Sequence, residues 1–295
     1  MTISIITCTG HRPEAFALCQ KYIEGQTSTF PIQWIIVSDQ NDFPKVKTTQ
    51  PNIRVEQYKA PKEWDPESEY NTHRGNMELA LSKVNGQYIY IMEDDDYYAP
   101  TYLNTMMQAL TMTEAVTMVR SKYFHIGLPG YKELHNTVHG SLANTAISKW
   151  ALPRLIKAVN SGHLYFDGVF WEEHLKAKRP HIFIGNSNIS VGIKGMTGRV
   201  GITPSHRDLR DYLIDPTLSK LKEWIGESYQ PYLEINQRIK DEKRKNANSK
   251  KESASSSKEG NQSKGYGQEK EEVKTKRTIS INSLQSRQRG HHGKG

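Results

Sequence analysis

Apolar positions in the first hundred residues fall into short runs, Ile3 to Thr7, Gln33 to Ser38 (QWIIVS) and Tyr88 to Met92, with the more polar Ile53 to Tyr58 as a candidate third strand. Runs this short and rich in β-branched residues read as strands buried on both faces, the kind found in parallel sheets. Between them, Pro13 suits the first turn of a helix that continues through Ile23. A second helix is expected over Asn71 to Val84, with Ala80 and Leu81 on its inner face and Asn85-Gly86 closing it. A third is expected from Pro100 to about Leu110. Strand alternating with helix implies right-handed βαβ units, and so an α/β fold with a mostly parallel central sheet flanked by helices.

The texture changes after that. Ala115 to Ile126 predicts one strand, turning at Gly127-Leu128-Pro129-Gly130 into a return strand and giving a small antiparallel portion. Ser148 to Ser161 and Phe166 to Lys178 have helical patterns, and His181 to Ile184 and Ile189 to Ile193 read as short strands. Lys194 to His206 (KGMTGRVGITPSH) is Gly-rich, basic and without periodicity, which predicts a mobile loop. A weakly amphipathic helix is expected from Thr217 to about Lys240. The expected organisation is therefore residues 1–110, residues 111–240 and a tail, 241–295.

Composition changes this picture mainly at the tail. The hydrophobic fraction of 36% and mean hydropathy of −0.71 are poor for a folded domain. From Ile239 onward, however, aliphatic residues almost vanish in favour of Lys, Ser, Glu, Asn, Gln and Gly. Such a tail cannot bury enough apolar surface to offset its ordering entropy, so disorder is expected there. Residues 240–295 carry 15 Lys+Arg against 7 Asp+Glu, the whole formal excess of +8, and the body is neutral. A basic tail points to nucleic acid or an anionic surface, or to a merely solubilising terminus. The two cysteines, Cys8 and Cys19, sit in apolar surroundings and offer no disulfide framework or zinc spacing, which fits a reducing compartment. No signal peptide is expected, and no apolar run approaches the roughly 18 residues of a membrane span. A cytoplasmic, soluble protein is the resulting expectation.

The chemistry concentrates at the strand ends. The strand Tyr88 to Met92 delivers four consecutive carboxylates, Glu93, Asp94, Asp95 and Asp96, to its C-terminal end. Charges crowded in this way raise one another's pKa unless a cation joins them. Hard oxygen ligands suit Mg²⁺ or Mn²⁺, above all where the cation also bridges phosphates. The competing reading is a solvated acidic turn. Thr7 to Arg12 and Asp39 to Asp42 also fall at strand C-terminal ends, where ligands of such sheets bind, so the three clusters should converge on one crevice.

These residues resemble nucleotide-sugar-dependent glycosyltransferases of the GT-A fold, of the large family 2 type. The opening SIITCTGHRPEAFALCQKYIEGQT is similar to that family's first strand and helix. The second strand ending in Asp39 resembles its uridine-contacting acidic position, and YNTHRGNMELALSKVNGQYIYIMEDDDYYAPTYL its helix and acidic strand. GHRPEAFALCQKYIEGQ is also similar to small phage and prophage glycosyltransferases, some of which glycosylate hydroxymethylated pyrimidines in DNA.

The resemblance implies a UDP-sugar donor and a metal held by Asp95, with Asp94 and Asp96 flanking it. Glu93 departs from the Asp found in many relatives. The resemblance also implies nucleotide recognition by Thr7, Thr9, Arg12, Asp39 and Arg74, although Asp39 and Asp42 could equally form an Asx turn. Lys194 and Arg199 would close over the diphosphate on the glycine-hinged loop, with His206 completing the metal shell. Asp167 would be the base of an inverting transfer, with Glu172 and Glu173 as alternatives. Asp167 would equally serve as a helix N-cap. Trp64 and Trp171, near polar loops, could stack on a sugar or a base.

The acceptor expected is a 5-hydroxymethylpyrimidine in DNA, supported by the basic tail and the cluster Lys176-Ala177-Lys178-Arg179. The alternative is a cell-surface or capsular glycan. A nucleotidyltransferase would share clustered carboxylates on a parallel sheet, but it typically opens with a Gly-rich basic phosphate loop, and TCTGHRPEAF has one Gly and one Arg. A binding module without catalysis would be expected to show a broken acidic motif, and here all the carboxylates are intact.

Overall fold

The three apolar runs and the candidate third strand form β1 (Ile3–Thr9), β2 (Ile32–Ser38), β4 (Tyr88–Ile91) and the half-exposed β3 (Ile53–Lys59), joined through α1 (Pro13–Glu24) and α2 (Thr72–Ser82). The computed structural model describes residues 1–65, 72–185, 188–199 and 211–259, with side chains as far as 249. Contacts divide the chain into two units, Met1–Asn246 and Ala247–Gly295.

The larger unit is built on a seven-stranded sheet of order β10-β6-β9-β4-β1-β2-β3, with β6 (Ala115–Met118), β9 (Ala146–Ser148) and β10 (His181–Ile184). Only β9 runs antiparallel to its neighbours. The apolar runs have a direct cause, since both faces of the sheet are covered. Ile3, Ile5, Trp34, Ile36 and Tyr90 pack with α1 and α3 (Tyr102–Leu110) on one face. Ile6, Ile35, Val37, Ile89 and Ile91 pack with α2, α4 (Leu152–Asn160) and α5 (Phe166–Lys176) on the other. The winding reverses at β1, which has β2 on one side and β4 on the other. The C-terminal ends of β1 and β4 therefore open the crevice in which such sheets bind ligands.

A second sheet, of order β12-β8-β7-β11-β5, uses β5 (Tyr97–Tyr98), β7 (Arg120–His125), β8 (Gly130–His135), β11 (Ser190–Lys194) and β12 (Leu213–Ile214). The single strand expected over Ala115 to Ile126 is thus two strands in different sheets. The break falls at Val119, whose N–H donates to the Ile184 carbonyl (2.8 Å) while its own carbonyl accepts from Asn136 (2.6 Å). Periodicity alone cannot show a chain crossing between sheets. The helix expected from Ser148 begins only at Leu152, because Ala146–Ser148 is strand β9, too short to register as a pattern.

The C-terminal helix also differs from expectation. It divides into α6 (Ser219–Ile225) and α7 (Gln230–Glu259) around a 3₁₀ turn, with Gly226 at φ 57°. The helix expected to end near Lys240 runs on to Glu259. Lys, Glu, Arg, Ala and Gln favour helix without any core to pack on. Local pairs such as Gln237 to Asp241 (3.1 Å) add to that preference. Residues 260–295 lie outside the described residues. Among the described residues, no helix is long and apolar enough to cross a membrane.

Candidate active site

The acidic segment is the link between the two sheets. Met92 still donates to the Ile6 carbonyl (3.0 Å) at the edge of β1, and Tyr97 already pairs with β11 of the second sheet. The four residues between must turn, and Asp96 N–H closes that turn weakly on the Glu93 carbonyl (3.4 Å). Glu93 N–H is held by the Tyr98 hydroxyl (2.8 Å). Oxygens of Glu93, Asp95 and Asp96 lie within 4.8 Å of one another, a hard donor set suited to Mg²⁺ or Mn²⁺. Asp94 is turned aside instead, accepting from Thr9 Oγ1 at 2.7 Å.

Two cations stand against this cluster. Arg12, where the chain enters α1, pairs with Asp94 (2.9 Å) and Asp95 (2.7 Å). Lys194, at the end of β11, pairs with Asp96 (3.4 Å), and Asp96 also accepts from Ile193 N–H at 2.9 Å. The cations do not fully offset the cost of burial. Burial and the Asp96 charge push Glu93 up to about 8. Burial pushes Asp96 up to about 7 against the pull of Lys194, and Asp94 up to about 6 against the pull of Arg12. Residual strain of this kind would be relieved by a divalent cation.

At the end of β2, Asp39 is buried and accepts through Oδ2 from Thr72, Arg199 and, more distantly, Asn76 (3.4 Å). Thr72 and Asn76 share a face of α2 at i, i+4 spacing. The other oxygen, Asp39 Oδ1, is buried without a hydrogen-bond partner among the described residues. It faces Gly10, where any Cβ would overlap it. Beside it, His11 adopts φ 57°, sparsely populated for a residue with a side chain, and its ring lies 5.0 Å from that of Trp64. A cleft of about 290 Å³ runs from Arg12, Asp95 and Arg199 past Met196 to Leu128, Ile239 and Lys243.

Of the residues expected at the site, Thr9, Arg12, Asp39, Asp94, Asp95, Asp96, Lys194 and Arg199 converge on this crevice. Lys194 meets the carboxylates, whereas Arg199 lies at Asp39 rather than over them. Thr7 does not reach the crevice. It is fully buried, donates to the Met92 carbonyl (3.0 Å) and accepts from Trp34 Nε1 (3.0 Å). Arg74 points away, half-exposed and paired with Glu78 (2.9 Å), because residue 74 is on the opposite face of α2 from Thr72. Trp171 is core, fully buried with its indole N–H on Thr145 (3.2 Å). His206 lies outside the described residues.

Asp167 is the second residue of α5 and caps nothing except its neighbour, accepting from Gly168 N–H at 2.8 Å; the expected N-cap role is corrected, since the helix already starts at Phe166. Burial pushes its carboxyl above the usual range. Glu172 and Glu173 are taken up by Lys176 (2.5 Å) and Lys157 (2.7 Å).

His73 was missed by the sequence reading. It stacks on Phe166 (5.4 Å), which brings the start of α2 beside that of α5. Burial, with Arg12 and Arg199 nearby, lowers its pKa to about 4, so it is neutral at pH 7. Its neighbour Arg74 carried the more obvious phosphate-binding signal, and only the helical face distinguishes the two.

The raised carboxylates have a measurable consequence. Between the ordinary carboxylate range and about pH 8, the folded protein without metal retains protons that the unfolded chain releases, so its stability falls as pH rises. His73 acts oppositely, losing stability as pH falls from about 6.5 towards 4. Stabilisation by Mg²⁺ should therefore grow from about pH 6 to about pH 8, as protons leave the shared oxygens. Melting curves with and without Mg²⁺ test this, and a shift independent of pH would remove the cation from this cluster.

No protein-family model matches the chain, and no curated protein matches it in sequence. Among solved structures it is similar to S. aureus TarS at 10% identity over 65% of this chain and 37% of that one, with TM-score 0.46. It is similar to TarS 1–349 in complex with UDP-GlcNAc at 11% identity over 76% and 64% of the two chains, TM-score 0.41. For TarS 1–349 in complex with UDP the values are 10% identity, 63% and 61%, and TM-score 0.41. The chain thus spans 37% to 64% of those chains' lengths. Likenesses this slight carry no argument, and the fold rests on its own strand order and register.

Proposed function

We propose that the protein is a glycosyltransferase of GT-A type that takes a nucleoside diphosphate sugar, with UDP as the favoured nucleotide. The observation that supports this best is the convergence, at the reversal of the winding, of a hard-oxygen trio, the partly buried Arg12, the buried Lys194 and a carboxylate oxygen with no hydrogen-bond partner among the described residues. Glu93, Asp95 and Asp96 would hold Mg²⁺ or Mn²⁺, whose chemistry when bound is Lewis-acid stabilisation of the charge on a departing diphosphate.

The chain's own residues supply the rest. Arg12 and Lys194, which pair with Asp95 and Asp96, would meet the phosphate oxygens beside the trio. Asp39 Oδ1 offers an acceptor to the N3–H of a uracil ring. Asp167, with its carboxyl raised by burial, would take the proton of the acceptor hydroxyl as that oxygen bonds to the anomeric carbon. The carbon–phosphate-oxygen bond breaks with its electron pair going to the diphosphate, which is a single displacement with inversion.

The DNA acceptor rests on the basic residues of 240–295 and on the phage-like opening. The basic cluster near Lys176 supports it less than expected, because Lys176 pairs with Glu172 and Arg179 with Glu114. A glycan hydroxyl therefore enters the test as a second acceptor.

The experiment is incubation with Mn²⁺ and a panel of UDP-sugars, following UDP release and the mass of DNA containing 5-hydroxymethylpyrimidines or of oligosaccharides. UDP release is expected, with transfer falling about a hundredfold in Asp167→Asn while UDP affinity is kept. Absence of both turnover and nucleotide binding would overturn the proposal.

A further inference from the structure

Arg199 stands on Oδ2 of Asp39, the same carboxylate whose Oδ1 the proposed function offers to the nucleobase. Its guanidinium pairs with Asp39 Oδ2, donates to Thr72 Oγ1 (2.9 Å) and lies over the Trp64 ring, 5.1 Å from the centroid. An edge contact to a buried acceptor and a face contact to an aromatic ring are what a planar pyrimidine would make there. The side chain is largely withdrawn from water, with 14% exposure, and Asp39 has 1%.

The backbone carrying Arg199 is latched over the same spot. Arg199 N–H donates to the His11 carbonyl (3.2 Å), and Thr197 bonds Glu14 on α1. Gly198, at φ 92°, lies so close to the His11 carbonyl that any Cβ would overlap it. The plug is therefore held by several contacts, and none of them reaches the carboxylate trio.

We infer that Arg199 is an internal competitor for the nucleobase: it stacks on Trp64 and pairs with Asp39 when the base site is empty, and a pyrimidine must displace it to bind. The inference rests on Asp39 meeting the base, as proposed above, and adds Trp64 as the ring on which the base would stack. A partly buried ion pair with a cation–π contact biases the closed arrangement by about tenfold. Apparent affinity is reduced by the fraction of open protein, so removing the plug recovers about the same factor.

The test uses uridine, which has no phosphates and so isolates the base site from Arg12 and Lys194. Calorimetric titration is expected to give about tenfold tighter uridine binding in Arg199→Ala than in the unaltered protein, with Arg199→Gln following in the same direction. Melting curves of both variants confirm that they fold. Uridine affinity unchanged or weakened in both variants would overturn the inference, and if UDP with Mn²⁺ still binds, the proposed function survives. If neither uridine nor UDP binds any of the proteins, the base site itself is refuted and both readings fall together.

Discussion

An Asp95→Asn variant is expected to lose roughly a thousandfold in kcat/KM for UDP-sugar turnover, about 4 kcal/mol of transition-state stabilisation. Asp95 belongs to the oxygen trio and is also the closer of the two carboxylates that hold Arg12. Asparagine keeps the shape and can still accept from Arg12, so what is removed is one negative charge and the hard carboxylate donor. The loss should therefore appear in Mn²⁺ affinity and in turnover together. Stability without metal should hold or rise slightly, because one member of a mutually repelling cluster becomes neutral. Calorimetric metal titration, melting and kinetics on one preparation separate these effects. Activity lost with Mn²⁺ affinity intact would move the cation away from Asp95, and a collapse in stability would make Asp95 a structural anchor of Arg12.

Much of the scaffold of this site was legible in the sequence because it is local. The runs ISIIT, QWIIVS and YIYIM show the two-sided burial of parallel strands, and alternation with helices places their C-terminal ends together. The acidic run at the end of one of them needs no tertiary information to attract notice. What was not legible depends on facing. Thr7 and Thr9 share one face of β1, yet Thr7 is spent in the core and Thr9, at the strand's C-terminal end, orients Asp94. Residues 72 to 76 of α2 present Thr72 and Asn76 to Asp39 and turn Arg74 away, a difference of helical phase. Trp171 stands near a polar loop in sequence and in the core in space. The break at Val119 follows from the two-sheet architecture, which no window of residues displays. The last helix runs past residue 240, where its apolar pattern stops, because Lys, Glu and Arg favour helix through local propensity alone.

Arg12→Ala is expected to cost about 3 kcal/mol of stability without metal near pH 8, because it leaves Asp94 and Asp95 buried without their shared cation. The cost should shrink steeply on acidification. Glu93, Asp96 and Asp94 are pushed up to about 8, 7 and 6, so near pH 5 these groups bind protons in the folded state and Arg12 has less charge to offset, Asp94 among it. Without Arg12, which holds Asp94 down, the Asp94 carboxyl rises further and protonates at higher pH still. Raised carboxyl pKa values remove stability as pH climbs, so the gap between variant and unaltered protein must widen from about pH 6 upward. Mg²⁺ should restore part of the loss at pH 8 by supplying charge to the same oxygens, about 2.7 kcal/mol at a hundredfold excess over its Kd. Urea unfolding at both pH values, with and without Mg²⁺, measures each quantity. A cost equal at pH 5 and pH 8 and indifferent to Mg²⁺ would assign Arg12 to packing through its aliphatic stem. A cost that vanishes in acid and is partly repaired by Mg²⁺ would make Arg12 and the cation alternative partners of one carboxylate cluster.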